Sequence, residues 1–206
     1  NNLQRQLLFT EKDVGLPKAI AAKNHLKQIN SKIKIKAIVT DLDHRNIGIL
    51  KSDVVLDCTD NFETRFLINE YCRKNSIPWV YAAAIRNIGT IYNVMPNAPC
   101  FQCVFDNHSS LETCDTVGVL NTVTSATASM QATEAIKTLL NKDYEKDMIR
   151  FNIWQPLLLK LKVKKNKSCS CCKGNYQYLT GKKISKVIKL CGTKTYQIKG
   201  KPVNLN

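Results

Sequence analysis

A chain of 206 residues is long enough for one α/β domain with its own core and a small appendage. Its 44% hydrophobic content suits a soluble globular protein, and no run reaches the roughly 18 apolar residues of a membrane span, so no membrane partner is expected. The net charge of +15 admits two readings, a Lys-rich solvated surface or a surface for an acidic partner.

The sequence opens on Asn1, not Met, and is expected to start inside a longer gene product or after a removed segment. Residues 1–30 read as a loop and then a helix. Pro17 suits the helix start, and Ala19, Ile20, Ala22, Leu26 and Ile29 fall near one face. IKIKAIV (33–39) alternates as a half-buried strand does. VVL (54–56) is the next strand, followed by a helix over 61–74 with Phe62, Phe66 and Tyr71 inward. IPWVYAAA (77–84) reads as a buried strand, and GTIYNVM (89–95) as an antiparallel neighbour after a turn near Asn87. Residues 97–116 are polar and irregular. A long helix rich in Ala, Ser and Thr is expected over 118–140, then a hairpin, MIRFNIW and LLLKLKVKK, around Gln155-Pro156. The tail from 173 is punctuated by Lys and Gly, with short strand-like pieces. Strands separated by helices predict an α/β fold with a Rossmann-like, mostly parallel sheet and a C-terminal antiparallel hairpin.

Nine cysteines is a high, odd count with uneven spacing. That favours metal or thiol chemistry in a reducing compartment over a disulfide framework, and a cytoplasmic location. CFQC and CSCC each contain a C-x-x-C knuckle. Cys100, Cys103, Cys169 and Cys172 would together make a tetrahedral site that zinc fills as a structural staple. Cys171 is an extra thiol beside the second knuckle. Cys58, Cys72 and Cys191 read as small core residues. Cys114, just before the long helix, has two open readings: a thiolate favoured by a helix N-terminus, acting as nucleophile or sulfur carrier, or a spare thiol.

In DVVLDCTDN (53–61), Asp57 ends a strand and Asp60 sits at the strand-to-helix switch, where open α/β sheets bind ligands. Asp60 is a candidate for Mg2+ near a phosphate; equally, Asp60-x-x-Glu63 resembles a capping box. Asp57 is expected to be structural. Arg5 in NLQRQ and Lys18 in GLPK are candidates for neutralising triphosphate charge. Lys160, Lys162 and Lys164 share one strand face, as a charged face that discourages edge aggregation or as a contact for an acidic partner. No two glycines stand two apart, so neither G-x-G-x-x-G nor a P-loop is present.

NNLQRQLLF, GLPK, DVVLDCTDN with Arg65, AAAIRNIGTI, CFQC, TCDTVGV, QATEAIK and the CSCC knuckle occur in an order that resembles the ThiF/MoeB/HesA family, bacterial relatives of ubiquitin-activating enzymes. LCGTKTYQI resembles the C-termini of Gram-positive members. The resemblance implies that ATP and Mg2+ are used to adenylate the C-terminal Gly-Gly carboxylate of a ubiquitin-fold sulfur carrier protein, for thiamine or molybdopterin biosynthesis. It implies Asp60 at the ATP–Mg2+ site, with Asn2, Arg5 and Lys18 on phosphates. Cys114 would match the crossover-loop cysteine, and the zinc ligands are the four cysteines named above. It also implies a sulfur donor such as a cysteine desulfurase or rhodanese, and a homodimer. The family's Gly-rich turn and front βαβ half precede the point where this sequence starts, and GVLNTVTSA stands where the family has G-V-x-x-P. Residues 1–172 are therefore expected to be a partial adenylation domain, inactive alone, and 173–206 a C-terminal extension. The competing reading is a non-catalytic, zinc-stapled module that binds a ubiquitin-like protein. A basic nucleic-acid binder would leave Asp60, Arg5 and Lys18 without a role, so no nucleic acid is expected.

Overall fold

The computed structural model describes residues 2–105 and 118–183, and the backbone of Val187–Lys189 and Tyr196–Ile198. The chain divides into two compact units, Asn1–Leu42 and Asp43–Asn206.

In the first unit, the Asn2 carbonyl accepts from the Arg5 and Gln6 amides at 3.1 and 3.0 Å, which winds the opening residues into a turn. A short 3-10 turn at Glu11–Asp13 follows. The Asp13 carboxylate accepts from the Thr10 amide at 2.8 Å and meets His25 Nε2 at 2.9 Å. Helix α1 runs Lys18–Ile29 directly after Pro17, where a missing N–H costs nothing because the first helical amides lack intrahelical partners. Ala21 is its one buried residue, and Ile29, expected on the inner face, is 76% exposed. Residues 34–39 are not a strand, contrary to their alternating pattern. Alternation prepares a strand, but a strand also needs a neighbour to take its backbone hydrogen bonds, and no strand pairs with this segment among the described residues.

The second unit is built on a five-stranded sheet in chain order: β1 (Val55–Leu56), β2 (Trp79–Ile85), β3 (Ile88–Val94), β4 (Met148–Asn152) and β5 (Leu157–Leu161). The α/β class holds, but the sheet is mixed. Only β1–β2 is parallel, and the other three pairings are antiparallel. For two of the three, β2–β3 and β4–β5, the reason is a short connection. One residue pair, Arg86-Asn87, separates β2 from β3, which permits a hairpin and no crossover.

Strand side chains alternate between faces, and the two faces of β2 are covered differently. Val80 packs with Ile91 and Ala135 on the side of helix α4 (Asn121–Leu139; α3 is the short Phe101–Val104). Trp79 and Tyr81 point to the other side, into a cluster with Phe101 and Phe105 that extends to Phe62 and Phe66 of helix α2 (Phe62–Lys74). Helix α4 sits close because Gly89 has no side chain. A Cβ there would lie 2.3 Å from the Phe151 ring and 2.5 Å from Thr127 Oγ1. Gln131 of α4 donates to the carbonyls of Asp57 and Val80, both at 2.8 Å, joining the end of β1 to β2. A separate antiparallel pair, β6 (Val187–Lys189) and β7 (Tyr196–Ile198), lies in the C-terminal segment.

Candidate functional site

The chain leaves β1 through a loop with very unequal residues. Asp57 is 1% exposed. Its Oδ1 accepts from the Thr59 amide at 2.9 Å and the Thr59 hydroxyl at 2.6 Å, and its Oδ2 accepts from Arg65 Nε at 3.0 Å. Arg65 reaches back from α2, donates a second time to the Thr59 carbonyl, and lies over the Phe62 and Tyr81 rings. A buried ion pair survives only when such partners satisfy its remaining lone pairs and protons. Asp57 is thus structural, as its place at the strand end suggests.

Asp60 does not cap α2. The cap is Asn61, whose backbone is extended and whose side chain accepts from the Thr64 amide at 2.9 Å. Asp and Asn serve about equally as caps, so residue type alone does not choose between them. Asp60 lies one residue upstream, with its residue surface exposed. The capping reading is therefore set aside, and a carboxylate remains in solvent at the C-terminal edge of a parallel strand pair.

Because β2 runs parallel to β1, its C-terminal end lies at the same edge of the sheet. There Arg86 adopts a left-handed φ of 55°. Its amide donates to the Gly118 carbonyl at 3.0 Å, and its carbonyl accepts from the Leu120 amide at 2.7 Å. Asn87 donates to Asn152 at 2.9 Å and so ties the β2–β3 turn to the β4–β5 turn. Arg86, Asn87, residues 118–120 and the exposed Trp154 line an open notch of about 430 Å3.

Towards β5 the sheet loses its cover. Leu157, Leu159 and Leu161 are 54, 43 and 40% exposed on one face of this edge strand. Lys160 pairs with Glu145 at 2.6 Å on the opposite face, so that lysine already serves an intrachain ion pair.

The four knuckle cysteines converge. All their sulfurs lie within 4.8 Å of one another, with separations of 3.5 Å for Cys100–Cys169, Cys100–Cys172 and Cys103–Cys172 and 3.8 Å for Cys100–Cys103. Zinc–sulfur bonds of about 2.3 Å in a tetrahedron require sulfur–sulfur edges of about 3.8 Å, so the donor set fits zinc. The same separations are far beyond the roughly 2.05 Å of a disulfide. Burial pushes the Cys169 thiol up, while hydrogen bonding, first from Cys100, holds Cys103 down. A cation at the centre is what would let all four ionise together.

Of the other cysteines, Cys72 is fully buried as expected, but Cys58 is exposed, because it follows Asp57 on the outer side of the loop. Cys171 is buried outside the ligand set. Cys114 and Cys191 lie outside the described residues. In the first unit Asn2 and Arg5 are half-buried in the opening turn and Lys18 is exposed as the first residue of α1. Of the buried polar side chains of α2, the sequence names Arg65 only within the family motif and does not single out Asn69 and Glu70. Polar residues in the middle of a helix look like a solvated face until their partners are known; only the proximity of Arg65 to DCTDN hinted otherwise.

A family model described as the ThiF family matches residues 1–171. The chain belongs to the ThiF family. It is 34% identical, over 97% of its length, to the sulfur carrier protein ThiS adenylyltransferase of Bacillus subtilis, of which it covers 62%. It is 35% identical to the SAMP-activating enzyme E1 of Haloferax volcanii, with 69% of this chain and 54% of that one covered. Among solved structures, Escherichia coli MccB with MccA-N7isoAsn aligns with a TM-score of 0.71 at 20% identity, covering 83% of this chain and 56% of that chain, a likeness of fold. The ThiF-family chain thus spans less than two thirds of the length of these relatives. No helix among its described residues is long and apolar enough to cross a membrane.

Proposed function

We propose that this ThiF-family chain is part of an adenylyltransferase that activates the C-terminal Gly-Gly carboxylate of a ubiquitin-fold sulfur carrier protein in the cytoplasm, for thiamine or molybdopterin biosynthesis. The observation that supports it most directly is Asp60, an exposed carboxylate at the C-terminal edge of β1 that Asn61 relieves of capping.

Asp60 is the group that would hold Mg2+, and Asn2, Arg5 and Lys18 are those that would contact ATP phosphates. Bound Mg2+ supplies neutralisation of triphosphate charge as pyrophosphate leaves. The brace from Arg65 through Asp57 to Thr59 fixes the loop in advance, so that Asp60 need not be ordered when substrate arrives. Cys100, Cys103, Cys169 and Cys172 would hold a structural Zn2+. Cys114 is assigned to sulfur transfer by the family resemblance alone. The exposed leucines of β5 suit a globular carrier with an apolar surface. The reading also includes a homodimer and a sulfur donor of the cysteine desulfurase or rhodanese class.

The test is ATP–pyrophosphate exchange by the full gene product, with candidate sulfur carriers added one at a time. Exchange that depends on one carrier is expected, and it names the pathway. No exchange with any carrier, in zinc-replete protein, would replace this reading with a non-catalytic module that binds a ubiquitin-like protein.

A further inference from the structure

The second knuckle contributes two ligands and one sulfur that is not a ligand. Cys171 is 0% exposed, and it accepts a hydrogen bond from Asn69 Nδ2 at 3.2 Å. The other end of the same amide is used as well. Asn69 Oδ1 accepts from the Phe101 amide at 3.0 Å. Phe101 follows Cys100, and Cys171 precedes Cys172. One fully buried side chain on α2 is therefore bonded next to a candidate ligand on each knuckle. The two bonds also fix the amide's orientation, because exchanging its oxygen and nitrogen would set donor against donor at Phe101.

Other contacts at this site hold one side each or join the knuckles to each other. Gln102 donates to Ser170 Oγ at 3.0 Å, linking knuckle to knuckle. Arg73 donates to the Ala98 carbonyl at 2.9 Å, just before Cys100. Glu70 accepts from the Gln177 and Leu179 amides at 3.1 and 2.8 Å, after Cys172. Among the described residues, Asn69 bonds beside both knuckles from the body of the domain.

We propose that Asn69 is a positioning residue for the four-cysteine site, acting on the second knuckle through the Cys171 sulfur, and that it sets how slowly a metal held there is released. The proposal rests on the zinc reading above. Groups hydrogen-bonded around a metal site restrict ligand motion, and their removal typically costs about 10- to 100-fold in affinity.

The experiment measures zinc content and the rate of zinc transfer to a chromophoric chelator, on the full gene product. Asn69→Ala is expected to release zinc at least about 10-fold faster than the parent. Cys171→Ser keeps an acceptor for Asn69 and should stay close to the parent rate, while Cys171→Ala should be faster. Gly89→Ala overpacks the sheet against Phe151 and Thr127 without touching either knuckle. It should lower the denaturation midpoint and leave the release rate unchanged, separating positioning from general loosening. If Asn69→Ala fails to fold, Asn69→Asp, which keeps the acceptor for Phe101 and loses the donor to Cys171, and Cys171→Ala carry the test. Parent-like release from folded, zinc-loaded Asn69→Ala, or from both substitutes, overturns the proposal alone. A parent protein that holds no zinc overturns the metal reading and this inference with it.

Discussion

The two ends of helix α2 use polar side chains in opposite ways. At its N-terminus a single buried ion pair, Arg65–Asp57, braces the loop and leaves Asp60 in solvent. In its C-terminal half Asn69, Glu70 and Arg73 each take hold of backbone or sulfur from the segments around the cysteines, and two of the three are fully buried. One end keeps a charge accessible; the other commits its polar side chains to intrachain partners. The first arrangement suits a carboxylate that must meet a ligand, and the second suits a staple that must not move. If that contrast is right, substitutions at the first end should divide cleanly between lost activity and lost stability.

The largest effect is expected at Asp60. Asp60→Ala in the full gene product should reduce carrier-dependent ATP–pyrophosphate exchange by at least about 100-fold, the scale of losing one charge-stabilising group, with the denaturation midpoint unmoved because Asn61 supplies the cap. A rate within a few-fold of the parent would leave Asp60 without a catalytic part. Arg65→Ala should behave in the reverse sense. It strands Asp57, a carboxylate with 0% side-chain exposure, without its counter-charge. Removing one partner of such a pair costs about 3–5 kcal/mol, which urea unfolding would read directly. A loss under about 1 kcal/mol would mean that the loop relaxes to let water reach Asp57. Gly89→Ala comes next, at about 1–3 kcal/mol of overpacking, since the added methyl meets Phe151 and Thr127 and one of them must yield. A neutral outcome there would show that α4 can lift from the sheet.

The same contrast explains what could be read from the sequence. The four-cysteine site was legible because each knuckle is local: two residues between cysteines place two sulfurs on one turn, and the chain had only to bring two knuckles together. Helix α2 was legible from Phe62 and Phe66, and its N-terminal signal was correct to within a residue. Asp60 and Asn61 are both good caps, however, and nothing local chooses between them; in the fold Asn61 takes the role. Asn69 and Glu70 were illegible because their partners, Cys171 and the backbone of Gln177 and Leu179, lie about a hundred residues away in the chain. Residues 33–39 misled for the complementary reason. Their alternation is a local property, whereas pairing is not.

The smallest expected effect tests the exposed counterpart of Arg65–Asp57. Asp43 bonds to Arg45 through the Arg45 amide at 2.8 Å and Nε at 3.0 Å, and the Arg45 guanidinium beside it holds the Asp43 carboxyl down at about 2, from an ordinary 3.8. A carboxyl with a depressed pKa stabilises the folded state fully above its unfolded value, and that contribution disappears as pH falls through about 2. The parent should therefore lose slightly more stability than Asp43→Asn between about pH 4 and 2. The difference should be small, since the arginine side chain is 78% exposed and water screens the pair. Urea midpoints at pH 5 and pH 2.5 for both proteins measure it. Equal acid sensitivity would show that this pair contributes nothing to the acid limb, and that among these ion pairs burial, not proximity, decides which one the fold depends on. A difference as large as that expected for Arg65→Ala would break the contrast instead, by showing that a solvent-facing guanidinium can brace a loop as well as a buried one.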